Sequence, residues 1–121
     1  MATNTLVEIL ALVVAKIKTI ATISNRIYHR YPPTSAAYPC ISYYDIAIVY
    51  NKQDDETIPM EFVLSFDLWG TSPVYTLENE LDTKLKELTI KVEKENSISI
   101  DEPMNPTIYR RNCQYRFIWN Y

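Results

Sequence analysis

Residues that could carry chemistry are few and scattered in this chain. The single histidine, His29, stands between Tyr28 and Arg30 in a bulky stretch typical of a strand. A catalytic base needs a group that orients it and a reacting atom within hydrogen-bonding reach. The sequence contains no glycine-rich phosphate loop, no nucleophile elbow and no metal-ligand spacing. We therefore expect no catalytic residue, no cofactor and no metal, and interpret His29 as an ordinary strand residue.

Three consecutive acids, Asp54, Asp55 and Glu56, concentrate negative charge in one polar stretch. They lack the alternating ligands and the turn glycine of a calcium loop, so a solvated hairpin tip is the simpler interpretation. The functional alternative is a flexible acidic arm that meets a partner or lines a negatively charged passage. We predict an exposed, flexible hairpin loop over residues 51–59 that is used in assembly.

Residues 109–116 contain the arginines and tyrosines of a possible basic and aromatic surface that stacks bases, namely Tyr109, Arg110, Arg111, Tyr115 and Arg116. The glycine-aromatic signature of an RNA-binding strand is missing, however. The net charge of -3 and the pI near 5.1 also argue against general nucleic-acid binding, which needs a cationic surface. Arginines lying across the solvent face of a sheet explain the same residues. Tyr109, Arg110 and Arg111 are therefore candidates for a protein interface.

The composition is that of a soluble globular protein. The 121 residues, 47% hydrophobic and 22% charged, suffice for a single domain over residues 1–121. Cys40 and Cys113 are too few for a disulfide framework and lie in no paired motif, so two buried, reduced thiols are expected. The apolar stretch 6–15 contains Glu8 and is too short to span a bilayer, so we expect cytoplasmic synthesis without membrane contact. Ten tyrosines favour an interaction protein over an enzyme.

A first helix is predicted by apolar residues that recur every three or four positions and therefore share one stripe. These residues are Leu6, Leu10, Val13, Ile17 and Ile20. Thr5 and Glu8 have the spacing of a capping box, which places the helix start near Thr5. Val7 and Ala11 leave much of the remaining surface apolar or small. This helix is expected to be covered either by the core alone or also by a second subunit.

A second helix is predicted to begin at Ser72 and Pro73, because serine is a favoured cap and proline fits the first helical position. Its buried stripe consists of Val74, Leu77, Leu81, Leu85 and Leu88. Gly70, the only glycine in the sequence, precedes this helix, and unusual backbone angles are expected there. The pairs expected on the outer surface are Glu80 with Lys84 and Asp82 with Lys86.

Strands are predicted where β-branched and aromatic residues cluster. The clearest is 60–69, in which Phe62, Leu64 and Phe66 belong to one wholly apolar face. Residues 38–50 precede it and are expected to form an antiparallel hairpin with it. Further strands are predicted at 26–31, 97–100 and 109–121. The order of elements fits an α+β fold: an antiparallel β-sheet of about four strands with two α-helices packed on one face.

The order of these signals resembles the tail-completion, or tail terminator, proteins of tailed bacteriophages. The resemblance covers nearly the whole chain and rests on the two predicted helices and on four short stretches. These are Arg26-Ile27-Tyr28, Tyr38-Pro39-Cys40-Ile41-Ser42-Tyr43, Phe66-Asp67-Leu68-Trp69 and Tyr115-Arg116-Phe117.

This resemblance implies a non-enzymatic structural subunit of a homo-oligomeric ring, expected to be hexameric. The ring would cap the tail tube and join it to the head connector protein, in the tail or neck of a virion assembled in the host cytoplasm. Partners would be other copies, the tail tube protein and the connector. DNA would pass through without specific binding, and no cofactor is implied.

Two other interpretations stay open. One is a different head–tail connector component, and the other is a cytosolic α+β module that binds nucleic acid or a regulatory partner. The mass of the native protein separates them, because a six-fold ring favours the terminator. A salt-sensitive complex with DNA would favour the nucleic-acid module.

Overall fold

The computed structural model of the protein describes residues 6–50, 59–100, 105 and 107–118. It confirms the predicted α+β class. The elements in chain order are helix α1 (Leu6–Ile17), a 3-10 turn (Ala21–Ile23), strands β1 (Ile27–His29), β2 (Cys40–Tyr50) and β3 (Pro59–Gly70), helix α2 (Tyr75–Lys86), and strands β4 (Lys91–Ile100) and β5 (Tyr109–Ile118).

The strands form one sheet in the order β1-β2-β3-β5-β4. The predicted hairpin is confirmed, because β2 and β3 pair antiparallel with Cys40 opposite Trp69 and Tyr43 opposite Phe66. The fifth strand is the short β1, which runs parallel to β2. The last predicted strand before β5 is longer than residues 97–100, since β4 also includes the charged run that precedes them.

The hydrophobic core lies between one face of the sheet and the two helices, as predicted. Phe62, Leu64, Phe66 and Leu68 of β3 are fully buried there. The Phe62 ring stacks on Phe117 with centroids 5.0 Å apart, and Phe66 meets Tyr115 edge-on at 5.6 Å. Burying a large apolar side chain contributes about 1.5–3 kcal/mol. This face therefore supplies much of the stability of the fold.

The buried side of α1 differs slightly from the predicted stripe. Ile9, Val13 and Ile17 are fully buried, whereas Leu10 is only half-buried. The helix ends at Ile17, and the buried Ile20 lies in the turn that follows. The interval of four positions from Ile9 to Ile17 directs these three side chains at the sheet. The predicted cap at Thr5 and the side chain of Leu6 lie outside the described residues.

The prediction that Ser72 caps α2 is wrong. The helix begins at Tyr75, and Val74 occupies the cap position without a side-chain hydrogen bond. Val74 instead belongs to the core, and its carbonyl accepts a hydrogen bond from the Glu78 amide at 3.0 Å. Packing of this valine therefore fixes the start of the helix. The predicted stripe is otherwise confirmed, with Leu77, Leu81 and Leu85 buried and Leu88 packed at the margin of the core.

Gly70 serves close packing rather than unusual backbone angles, contrary to the prediction. Its φ is not positive. A Cβ atom added at this position would lie 2.8 Å from Cγ1 of Val74 and 3.1 Å from the Ser72 carbonyl oxygen. The absence of a side chain at Gly70 thus lets the connection to α2 fold tightly against the end of β3.

The acidic residues of α2 contact other elements instead of the lysines expected one turn away. Glu80 accepts a hydrogen bond from the Thr22 hydroxyl at 2.9 Å. Asp82 accepts one from Lys94 of β4 at 3.1 Å. These contacts fasten α2 to its neighbours. None of the described helices is long and apolar enough to cross a membrane.

Candidate interaction surfaces

The face of the sheet opposite α1 and α2 is called the bare face here, because no described helix packs on it. Alternation along β3 and β5 places Ser65, Asp67 and Trp69 on this face, opposite Gln114, Asn112 and Arg110. Ser65 and Asp67 are completely buried despite the missing helix. Buried polar groups need hydrogen-bond partners, so these side chains must satisfy one another.

A network centred on Asp67 meets this requirement. Asn112 donates hydrogen bonds from Nδ2 to Asp67 Oδ1 at 2.9 Å and to Ser65 Oγ at 2.6 Å. Arg110 donates from Nη2 to Asp67 Oδ2 at 3.0 Å, and its guanidinium lies 4.7 Å from the centre of the Trp69 ring. Trp69 donates from Nε1 to Ser42 Oγ at 3.0 Å. The network holds the middle of the bare face in one arrangement.

The predicted interface residues Arg110 and Arg111 lie on opposite faces of the sheet, because consecutive strand residues alternate. Arg111 is directed toward α2, where it pairs with Glu78 and donates from Nη1 to Ser99 Oγ at 2.7 Å. Its guanidinium also lies 5.2 Å from the Tyr75 ring. Tyr109 is 45% exposed at the start of β5. The three residues therefore do not form one continuous patch.

Glu78 is the centre of a second polar cluster, on the helix-covered side at the β4 edge. Its carboxylate accepts hydrogen bonds from Lys94, from Arg111 and from Ser97 at 2.8 Å. Burial alone would raise the pKa of Glu78, but these three donors outweigh it and the pKa is lowered. The cluster therefore contains an ionised carboxylate that binds α2 to the outer strands.

The remaining arginine of the predicted basic and aromatic surface is also paired. Arg116 contacts Glu61 on β3 and donates from Nε to Glu95 Oε1 on β4 at 2.8 Å. Tyr115 is buried on the helix-covered side, where it donates to Asp82, and burial raises its pKa. A buried ring cannot stack on a base. These residues therefore do not form a cationic, aromatic platform for nucleic acid.

His29 lies at the end of β1, with its ring 5.2 Å from that of Tyr43. It lines an open cleft of about 380 Å³ together with Arg30, Tyr31, Tyr44, Asp45, Asp67 and Arg110. Asp67 is already bound to Arg110 within the bare-face network. Over the described ranges, no group of three or more His, Cys, Asp and Glu side chains is placed to hold a metal ion.

The two cysteines are buried and unpaired, as predicted. Cys40 lies at the start of β2 and Cys113 in the core of β5, next to the Ser97 hydroxyl at 3.7 Å. Burial raises the pKa of both thiols to about 11. Because the thiolate is the reactive form, neither cysteine is chemically reactive near neutral pH.

Exposed apolar side chains occur at several sites. On α1, Val7 is 76% exposed, on the side for which contact with a second subunit was predicted. The others of note are Tyr31, Tyr44, Ile46, Tyr75, Ile98 and Tyr109. Tyrosine is enriched in protein interfaces. The number of tyrosines in the sequence does not identify which of them are exposed, and only the register of β2 and β4 places Ile46 and Ile98 at the sheet edges. The predicted acidic arm of Asp54, Asp55 and Glu56 lies outside the described residues.

The fold is similar to that of one solved bacteriophage protein. The structure described as that of the SPP1 gp17 protein matches with a TM-score of 0.50, over 92% of this chain and 88% of that chain. The two sequences are 12% identical, so the match concerns the fold alone. No protein-family model matches the chain, and no curated protein matches its sequence.

Proposed function

We propose that this chain is a structural subunit of a tailed-phage particle. In this proposal, copies form a ring, with six as the expected number, that caps the tail tube and joins it to the head connector. The observation that carries the proposal is the likeness in fold to a bacteriophage protein over nearly the whole of both chains. The sequence resemblance to tail-completion proteins leads independently to the same class.

The described surface is suited to contacts with other proteins. The bare face is held rigid by a hydrogen-bonded network, and exposed tyrosines surround it and the helices. Rigid aromatic side chains lose little conformational entropy when they are buried in an interface. We therefore propose an assembly role without catalysis, performed in the tail or neck of the virion after synthesis in the host cytoplasm.

DNA is proposed to pass through the ring without specific binding. The charges of Arg110, Arg111 and Arg116 are each balanced by a carboxylate of the same chain. Paired arginines release few counterions from DNA, and such release is the main source of non-specific affinity. This observation favours the ring subunit over the nucleic-acid-binding module. That Asp54, Asp55 and Glu56 line the passage stays a prediction.

The decisive experiment measures the mass of the purified protein by light scattering, alone and with purified tail tubes of its phage, followed by electron microscopy of the mixture. The expected result is a closed ring of six copies seated at one end of each tube. A protein that stays monomeric with tubes present and leaves both tube ends bare would contradict the proposal. Salt-sensitive binding to a DNA duplex would support the nucleic-acid module instead.

A further inference from the structure

The sheet has an open edge along part of β2. β1 pairs with β2 only from Ile41 to Tyr43, and its last hydrogen bond is donated by the Arg30 amide to the Tyr43 carbonyl at 2.8 Å. β2 continues to Tyr50, and on the side away from β3 no described strand lies beside residues 44–50. We call this stretch the β2 edge. Its outward backbone groups can pair with another strand.

The side chains at the start of the β2 edge are suited to such pairing. Tyr44 is 37% exposed and Ile46 is 48% exposed, and Asp45 and Ala47 are exposed as well. Asp45 is the only charged residue between positions 44 and 50. Proteins normally protect an open edge with charges, because an uncharged edge with apolar side chains is a template for strand addition.

The opposite edge of the sheet, formed by β4, shows this protection over half of its length. Residues 91–95 include four charged side chains. Such charges discourage the addition of a strand, and they distinguish the two edges, because irregular pairing occurs in both, between Lys94 and Asn96 of β4 and between Asp45 and Ala47 of β2. Residues 97–100, in contrast, carry no charge, and Ile98 is 46% exposed. Only this second half of β4 is open for pairing.

We propose that the β2 edge of one copy pairs with residues 97–100 of β4 in a second copy. The strand order places these stretches at opposite sides of the sheet, and the chain of antiparallel pairings makes β4 antiparallel to β2. A second copy that continues the sheet therefore presents β4 antiparallel to β2. Tyr44 then lies opposite Ile100, both on the bare face, and Ile46, at the irregularity of β2 between Asp45 and Ala47, lies near Ile98.

This contact deepens the proposed function and rests on it, because it joins two different surfaces of identical chains. A head-to-tail contact of this kind repeats from copy to copy and closes into a ring when the rotation allows. Pairing of four residues buries far less than the roughly 1,200 Å² of a stable specific interface. We therefore expect the contact in the assembled ring, with other surfaces contributing, rather than in dilute solution.

Engineered cysteines test the pairing directly, since burial keeps Cys40 and Cys113 unreactive. The test variant carries Ile46→Cys and Ile98→Cys, and it is mixed with tail tubes, oxidised mildly and run on a non-reducing gel. We expect a ladder of covalent oligomers that reaches the size of the ring. The matched control carries Ile46→Cys and Thr83→Cys and should give no ladder, because Thr83 is exposed on the side of α2 that faces Thr19 and Ala21 rather than β4.

Other outcomes would overturn the inference in distinguishable ways. Dimers from the single Ile46→Cys variant would indicate that two β2 edges pair with each other. A six-copy ring in which the double variant forms no crosslink would exclude this contact but leave the proposed ring intact. Absence of any ring from the unmodified protein would contradict both proposals. If Ile46→Cys unfolds the protein, the pair Tyr44→Cys and Ile100→Cys tests the same register.

Discussion

The two faces of β3 are both buried in the middle of the strand, but by different means. On the helix-covered face, Phe62, Leu64 and Phe66 pack against α1, α2 and the aromatic residues of β5. On the bare face, Ser65 and Asp67 have no accessible surface, although no described helix covers them. Hydrogen-bonded side chains from adjacent strands replace the helices there. The stability of the helix-covered face depends on close packing of apolar side chains. The stability of the bare face depends on the pairing of hydrogen-bond donors with acceptors.

The largest loss of stability is expected from a substitution on the helix-covered face. Phe66→Ala should destabilise the protein by about 3–5 kcal/mol, because a fully buried ring leaves a cavity that the surrounding residues fill only partly. Urea denaturation measures this loss. Val63→Ala is the matched control, since Val63 is half-buried on the bare face of the same strand and should cost less. An unchanged midpoint for Phe66→Ala would show that this face is not the core.

On the bare face, Asp67→Ala removes the carboxylate at the centre of the hydrogen-bonded network. This change leaves Arg110 and Asn112 without their shared carboxylate in a buried setting, and we expect a loss of about 2–4 kcal/mol. The double variant Asp67→Ala with Arg110→Met should be less destabilised than the sum of the two single changes, because either single change already removes the ion pair between the two side chains. Additive losses would indicate that the two side chains do not interact.

Sequence patterns revealed the helix-covered face because its causes are local. The alternation in β3 and the three-and-four spacing of Leu77, Leu81 and Leu85 follow from strand and helix geometry. The network of the bare face joins residues distant in sequence, such as Asp67 and Arg110, separated by 43 positions. Its partners depend on the register of β3 against β5, which single-sequence periodicity does not give. The parallel pairing of the short β1 depends on tertiary contacts in the same way.

The separation of Arg110 from Arg111 follows from the sequence alone. The two residues are predicted as one interface, although alternation in a strand places neighbouring side chains on opposite faces. The charged residues 93–95 lie outside the strand predicted over residues 97–100. In the structure they form part of an edge strand, where charges prevent unwanted pairing. Polarity alone therefore does not distinguish a loop from a protected edge.

A smaller effect is expected at the junction between β3 and α2. Gly70→Ala would place Cβ 2.8 Å from the Val74 side chain, and the β-branched valine has little freedom to turn away. Overpacking of this kind costs about 1–3 kcal/mol. Thermal and urea denaturation measure the loss. Gly70→Ala should cost less stability in a protein that already carries Val74→Ala than in the unmodified protein. Equal losses in the two backgrounds would exclude the steric explanation.

The smallest expected effect concerns the ionisation of Glu78 on the helix-covered side. Protonation of this carboxylate removes a charge without changing the shape of the side chain. The pKa of Glu78 is lowered by its donors Lys94, Ser97 and Arg111. A carboxyl whose pKa is lower in the folded state adds stability above its unfolded pKa of about 4.3, and this stability is lost as the pH falls through the folded value. The melting temperature should therefore fall as the pH drops below about 4.3 and through the lower folded-state pKa of Glu78.

Glu78→Gln keeps the size and the acceptor oxygen of the side chain but removes the ionisation. Its melting temperature should be somewhat lower at pH 7 and should approach that of the unmodified protein once the pH lies below the folded-state pKa of Glu78, where this carboxyl is protonated as well. Glu80→Gln is the matched control, because Glu80 lies on the same helix and its carboxylate accepts hydrogen bonds from the neutral hydroxyl of Thr22. A constant difference between Glu78→Gln and the unmodified protein from pH 7 to pH 3 would mean that the charge of Glu78 contributes nothing. The cluster would then hold β4 to α2 by neutral hydrogen bonds and packing alone.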